Sequence, residues 1–477
     1  MSSAAWSTLG GVPVEFMLFG VLLLSIAFVG WNTMAMALIG AAVITAYKLG
    51  FAGFAEGPGL TGLLAHAGHE WMLLANLLGL LLGFALLARH VEKSALPELL
   101  PDYLPSGTAS GFVLLVAVFL LSSVLDNIAA AIIGATIAHS VFRGRIHVGY
   151  LASLVACANA GGVGSVLGDT TTTMMWIAGV APMTIFPGYV AAVVALLVTA
   201  IPASRQQHAY SPMATDAPSG VRLDVPRLVI VAAILLLAVA TNLLMTVYFR
   251  DRVDSLPFLA IAVWLGLLAT ALWRRPDWRE LPNALRGAIF LLALVWCASL
   301  MPVEKLPSAS WPSTLGVGFL SAILDNIPLT ALALKQGGYD WAMLAYAVGF
   351  GGSMLWFGSS AGVAVANRYP QAKSVVQWLR HGWHVVLAYP VGFFVMLALL
   401  GWHPAPVLPT APDFTPAGPS AGAQTGAPAG PPAGARSAGG DKPAQHDNAT
   451  GFKMHGSLGL RLPNGPSQPG DSTDKLK

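Results

Sequence analysis

Residues 119–131 read FLLSSVLDNIAAA, an apolar run interrupted by Ser122, Ser123, Asp126 and Asn127. Residues 318–330 read GFLSAILDNIPLT, with Ser321, Asp325 and Asn326 in the same order. The two Asp-Asn pairs stand 199 positions apart. Each lies in an apolar segment, roughly 109–140 and 309–335, that exceeds the ~20 residues of one membrane crossing. A polar pair in the middle of such a segment predicts a re-entrant hairpin, two half-helices entering and leaving on one face. Downstream of each pair the sequence repeats a glycine pattern. NAGGVGSVLGDTTTT (159–173) carries Gly161, Gly162 and Gly168, and GFGGSMLWFGSSAGV (349–363) carries Gly351, Gly352 and Gly358. Both have the form GG-x5-G. Each glycine inside an apolar helix costs about 1 kcal/mol, which permits an unwound stretch.

The composition agrees with a membrane setting. Of 477 residues, 55% are hydrophobic and 10% charged, with a mean hydropathy of +0.67. Soluble domains carry about 25% charged residues. A net charge of +3 provides no basic field for nucleic acid. Cys157 and Cys297 sit in apolar runs and read as small buried hydrophobes. No positively charged n-region of a cleavable signal precedes the first span, which is expected to stay.

Candidate spans fall at roughly 13–30, 31–47, 71–88, 147–178, 182–201, 227–248, 256–273, 282–302, 341–367 and 374–401, beside the two hairpins. Ten crossings put both termini on one side. One face then collects Arg89, Lys93, Arg143, Arg145, Arg205, Arg222, Arg227, Arg274, Arg275, Arg279, Arg286, Arg368, Lys373 and Arg380. The other keeps Lys48, Arg250, Arg252, Lys305 and Lys335. The first face is expected to be cytoplasmic, which sets the two hairpins in opposite orientation and both termini outside. The expected fold class is an all-α polytopic membrane protein of inverted repeats, each with a re-entrant helical hairpin and a discontinuous transmembrane helix. The chain divides into N-terminal spans 1–70, repeat 71–202, linker loop 203–226, repeat 227–401 and a Pro/Gly/Ala-rich tail 402–477 whose composition predicts disorder.

The candidate ion- and proton-binding residues are Ser122, Ser123, Asp126, Asn127, Gly168, Asp169, Thr170, Ser321, Asp325, Asn326, Gly358 and Ser359. Freed carbonyls, carboxylates and hydroxyls in a dry interior suit a hard cation or a proton. Capping competes: Asp126 and Asp325 can cap the returning half-helices, and Asp169 the half-helix opened by Thr170. Close helix packing competes for the glycines. His139, His381 and His384 read as interfacial. His66, His69 and Glu70, which their surroundings place in a Gly-rich loop, form a weak metal constellation.

NAGGVGSVLGDTTTTMMWI (159–177), GVGFLSAILDNIPLTA (316–331) and GGSMLWFGSSAGVAVAN (351–367) resemble the NhaD-type sodium/proton antiporters of the ion transporter superfamily. The resemblance covers roughly 70–401 and implies two ion sites near the midplane, built from hairpin tips and broken helices. It implies exchange of sodium or lithium for protons in the inner (plasma) membrane. Sodium would sit at the residues named above, with no cofactor, membrane lipid as surroundings and a homodimer left open. A carboxylate (citrate-like) symporter is the alternative, disfavoured because two tip aspartates would repel a dianion. An intramembrane aspartyl protease is more remote, because Val166-Leu167-Gly168-Asp169 lacks the first glycine of GxGD.

Overall fold

The computed structural model describes residues 8–9, 12–28, 32–166, 168–213, 222–249 and 256–405. Among them only a two-residue strand pair near the N-terminus, Thr8–Leu9 with Val12–Pro13, is not helical or loop. The helices are α1 (Val14–Phe28), α2 (Thr33–Tyr47), α3 (Gly59–Glu92), α4 (Leu96–Leu99), α5 (Thr108–Ser122) and α6 (Asn127–Val141). Then come α7 (Val148–Gly162), α8 (Thr170–Ile177), α9 (Pro182–Ile185), α10 (Tyr189–Tyr210), α11 (Val225–Tyr248) and α12 (Phe258–Thr270). The remainder are α13 (Leu281–Ser299), α14 (Trp311–Ser321), α15 (Asn326–Gln336), α16 (Trp341–Gly351), α17 (Ser360–Arg368), α18 (Val375–His381) and α19 (Trp383–Leu400).

Among the described residues six helical segments are long and apolar enough to cross a membrane, and five shorter apolar helices accompany them. Four helices, α5, α7, α14 and α16, stop where an Asp-Asn or Gly-Gly pair breaks the apolar run, at Asp126, Gly162, Asp325 and Gly351. Polar or flexible residues at those points give the backbone a side-chain acceptor or remove the helical preference.

The centre is built from α7 and α16, in which every residue is buried. Their sequences, VGYLASLVACANAGG and WAMLAYAVGFG, are rich in Ala and Gly. Small side chains let neighbouring helices approach closely, which drives association where lipid competes equally for apolar surface. Helices α5, α10, α17 and α18 pack on α7, and α14 and α19 on α16. The halves also cross over: α6 lies against α17, and α15 against α8. Both cysteines are buried.

Three expectations are corrected. Helix α3 is continuous from Gly59, so His66, His69 and Glu70 lie in a helix and not in a Gly-rich loop, and the boundary at 70/71 falls within it. His66 is buried there because both ring nitrogens are partnered, Nδ1 with Glu56 Oε1 at 3.0 Å and Nε2 with Ser299 Oγ at 2.9 Å. Helix α10 extends to Tyr210 and α11 begins at Val225, so residues 203–210 and 225–226 are helix and not linker. His384 is fully buried, not interfacial, with Ser153 Oγ 3.2 Å from Nδ1 and Gln206 Oε1 3.4 Å from Nε2. The tail beyond residue 405, residues 214–221 and residues 250–255 lie outside the described residues.

Ion pairs gather at one end of the bundle. Arg89 pairs with Glu280, Lys93 with Asp277, and Arg227 and Arg274 with Asp224. At the other end of α13, Lys335 Nζ donates to Ser299 O and Met301 O.

Candidate ion-binding site

The site grows from two turns. Between α5 and α6, Asp126 accepts from Ile128 N at 3.1 Å and thereby caps α6. Between α14 and α15, Asp325 accepts from Ile327 N at 3.0 Å and caps α15. Ser360 Oγ reaches the other oxygen of Asp325 at 3.5 Å. The capping role is therefore present at both tips, and at Asp325 it uses one oxygen while the other faces a hydroxyl. The serines ahead of the tips dock them. Ser122 Oγ donates to Ala158 O at 2.6 Å, and Ser321 Oγ to Val348 O at 2.7 Å. Ser123 Oγ donates to Gly161 O at 3.0 Å.

The glycines allow this approach. A Cβ at Gly161 would lie 2.1 Å from Phe119 O, and one at Gly351 would lie 2.3 Å from Gly318 O. At Gly168 it would meet Ser122 O at 2.1 Å, and at Gly358 Ala322 O at 2.4 Å. Close packing and the helix break thus coincide at the same residues.

Asp169 is 2% exposed and caps α8. It accepts from Thr171 Oγ1 at 2.7 Å and from Asn127 Nδ2 at 3.2 Å. Thr170 is buried beside it. Thr172 and Thr173 donate to Ser165 O, Val166 O and Asp169 O, so their hydroxyls satisfy carbonyls that the break releases. In the second half Ser359 stands where the first has Asp169, and it caps α17 by accepting from Gly362 N at 3.2 Å. Asn326 is buried at the second tip.

One residue outside the candidates drawn from sequence joins the halves. Asn159 Oδ1 accepts from Asn127 Nδ2 at 3.1 Å, and its Nδ2 donates to Ser353 Oγ at 2.9 Å and Ser359 Oγ at 3.0 Å. Its counterpart 190 positions on is Gly349, where a Cβ would lie 3.3 Å from Asp169 Oδ2. The signal available in the sequence is an Asn two residues before Gly-Gly inside an otherwise apolar helix. The structure thus brings Asn127, Asp169 and Ser359 into one hydrogen-bonded group through Asn159, with Ser122, Ser123 and Ser321 holding the tips. Among the described residues no cluster of three or more His, Cys, Asp or Glu side chains is arranged to hold a metal.

These features define a polytopic all-α membrane protein with a buried carboxylate-, amide- and hydroxyl-lined site. No protein-family model matches the chain. It is 28% identical over 291 residues to sodium/proton antiporter 1 of Arabidopsis thaliana, covering 52% of this chain and 48% of that protein. Sodium/proton antiporter 2 of the same plant is 27% identical, over 52% of this chain and 66% of its own length. The Na(+)/H(+) antiporter NhaD of Alkalimonas amylolytica is 24% identical over 60% of this chain and 67% of its own. The chain thus spans about half the length of the first relative and about two thirds of the others. The chain is thus similar to proteins named as sodium/proton antiporters, two of them plant proteins and two bacterial NhaD antiporters. Its long apolar helices are those of a multi-pass membrane protein.

Proposed function

We propose that this protein exchanges sodium or lithium for protons by alternating access, with Asp126, Asp325 and Asp169 as the groups that hold either ion. The observation that carries the reading is the hydrogen bond from Asn127 to Asp169, joined through Asn159 to Ser353 and Ser359. It gathers charge and oxygen ligands from both halves in a buried place. A bare carboxylate in such surroundings is costly, and a proton or a cation each relieves the cost. One carboxylate cannot carry both at once, so competition for it couples the two ions. The names of the relatives support sodium and proton as the pair.

In this reading the α5–α6 and α14–α15 pairs are re-entrant hairpins of two inverted repeats. The matched contacts of Ser122 with Ala158 and Ser321 with Val348 support that correspondence, because the partners are 199 and 190 positions apart. Among the described residues no Lys or Arg forms an ion pair with the three aspartates. A dianionic substrate would therefore meet uncompensated repulsion. Proteoliposomes loaded with sodium and exposed to a pH gradient test the reading. Coupled sodium efflux and internal acidification are expected. Citrate uptake with no cation-dependent proton flux would replace it with the symporter.

A further inference from the structure

The break after α7 leaves one carbonyl in an unusual position. In a continuing helix Ser165 N would donate to Gly161 O; here it donates to Gly162 O at 3.2 Å. Gly161 O is taken instead by two hydroxyls, Ser123 Oγ at 3.0 Å and Tyr189 Oη at 3.2 Å. Ser123 belongs to the first tip, whereas Tyr189 is the first residue of α10, which packs on α5, α7 and α19. The tyrosine ring is seated: a Cβ at Gly164 would lie 2.2–2.5 Å from its atoms, and Phe186 meets it edge-on at 5.4 Å. The second break has a related device, Trp378 Nε1 donating to Ser353 O at 3.3 Å. An indole N–H can only donate. A phenol O–H can rotate about its C–O bond, accept as well as donate, and release the carbonyl.

We propose that Tyr189 is a positioning residue for cation binding in the first half: its hydroxyl sets the direction of the Gly161 carbonyl and yields it to the entering ion. This rests on the exchange reading given above. Gly161 O faces two neutral donors: Tyr189, fixed to the packed frame, and Ser123 on the tip, whose single hydrogen also has Phe119 O at 3.2 Å as an acceptor. Losing the Tyr189 hydroxyl leaves Ser123 alone to orient the carbonyl. Losing both leaves a buried acceptor with no side-chain donor, a larger loss than the two singles combined.

The test compares wild type, Tyr189→Phe, Ser123→Ala and the double variant, each purified in full length. Sodium-dependent proton flux and the sodium-dependent rise in thermal midpoint are read across pH. Tyr189→Phe keeps the ring, so insertion and the pH profile should hold. Its half-saturating sodium should rise about two- to tenfold, with maximal rate within about twofold. The double variant should exceed the product of the singles. If the wild type responds to sodium and Tyr189→Phe has the same half-saturation, the role of Tyr189 is refuted and exchange stands. A Tyr189→Phe variant that is only less stable refutes the role equally. If the wild type responds to neither sodium, lithium nor potassium in either measurement, the exchange reading fails and the Tyr189 role with it.

Discussion

The side-chain amide of Asn127 donates to the carboxylate of Asp169 across 3.2 Å, linking the first tip to the first helix break through a single hydrogen bond. Asn at position 169 would still present an oxygen to Thr171 and to Asn127, but without charge. Asp169→Asn should insert and fold with a thermal midpoint near that of the wild type. Exchange should fall between about tenfold and a hundredfold, the range for one lost charged partner. Sodium-dependent proton flux in vesicles measures it. Unchanged flux would reduce Asp169 to a cap for α8.

At the tips the caps and the charges separate by the same substitution. Asp126→Asn and Asp325→Asn retain an acceptor for Ile128 N and Ile327 N. Both variants should reach the membrane in normal amounts and lose coupled exchange, whereas Asp→Glu should keep part of it. A double Asn variant that still moves protons in response to sodium would sink the mechanism.

The parts of this site that can be read from sequence are those that interrupt an apolar run. Asp126, Asp325 and the Gly-Gly pairs stand out in one dimension because each breaks a pattern. Asn159 does not break its helix, and its partners Ser353 and Ser359 lie 194 and 200 positions away. Tyr189 at the start of a span is indistinguishable from an interfacial aromatic. His66 resembles part of a loop because Gly68 and His69 follow it. Its burial is decided by Ser299, 233 positions on. What escapes a sequence reading is long-range pairing between halves, which local composition does not encode.

Asp277 lies at the charged end, and its hydrogen bond from Lys93 at 2.7 Å holds its carboxyl below the ordinary value. A depressed carboxylate contributes stability that is present above its unfolded pKa of about 3.9 and is lost as pH falls through the lower folded value. The thermal midpoint of Asp277→Asn should therefore sit slightly below wild type at pH 7. The gap should close below about pH 4, and it should also shrink in high salt. Melting curves at several pH values decide it. A gap that persists in strong acid would show that packing, not charge, is involved.

Glycine substitutions should divide by what a methyl group meets. Gly161→Ala and Gly351→Ala place Cβ 2.1 and 2.3 Å from backbone oxygens that cannot retreat without moving a helix. Both should lower the amount of folded protein severely. Gly68 lies in α3 with nothing within 4 Å of a Cβ. Gly68→Ala should be neutral or stabilising by up to about 1 kcal/mol. Fluorescence-detected size exclusion on the three variants reads the difference directly, and equal behaviour would refute the tight crossings.

Asn159 offers the cleanest distinction between holding the fold and holding the ion. Removing its amide cuts three buried hydrogen bonds, those with Asn127, Ser353 and Ser359. Ser153 lies in the same helix, fully buried, and its hydroxyl meets His384 at 3.2 Å. Both Asn159→Ala and Ser153→Ala leave buried groups short of a partner; Ser153→Ala should cost on the order of 1 kcal/mol of stability and Asn159→Ala about two to three times that. Only Asn159 touches a residue that holds Asp169. If it serves the site, Asn159→Ala should lose most sodium-dependent flux per folded molecule while Ser153→Ala keeps it. If both variants retain flux in proportion to folded protein, Asn159 is a structural tie between the halves, and Asn127 and Asp169 must recognise the cation without it.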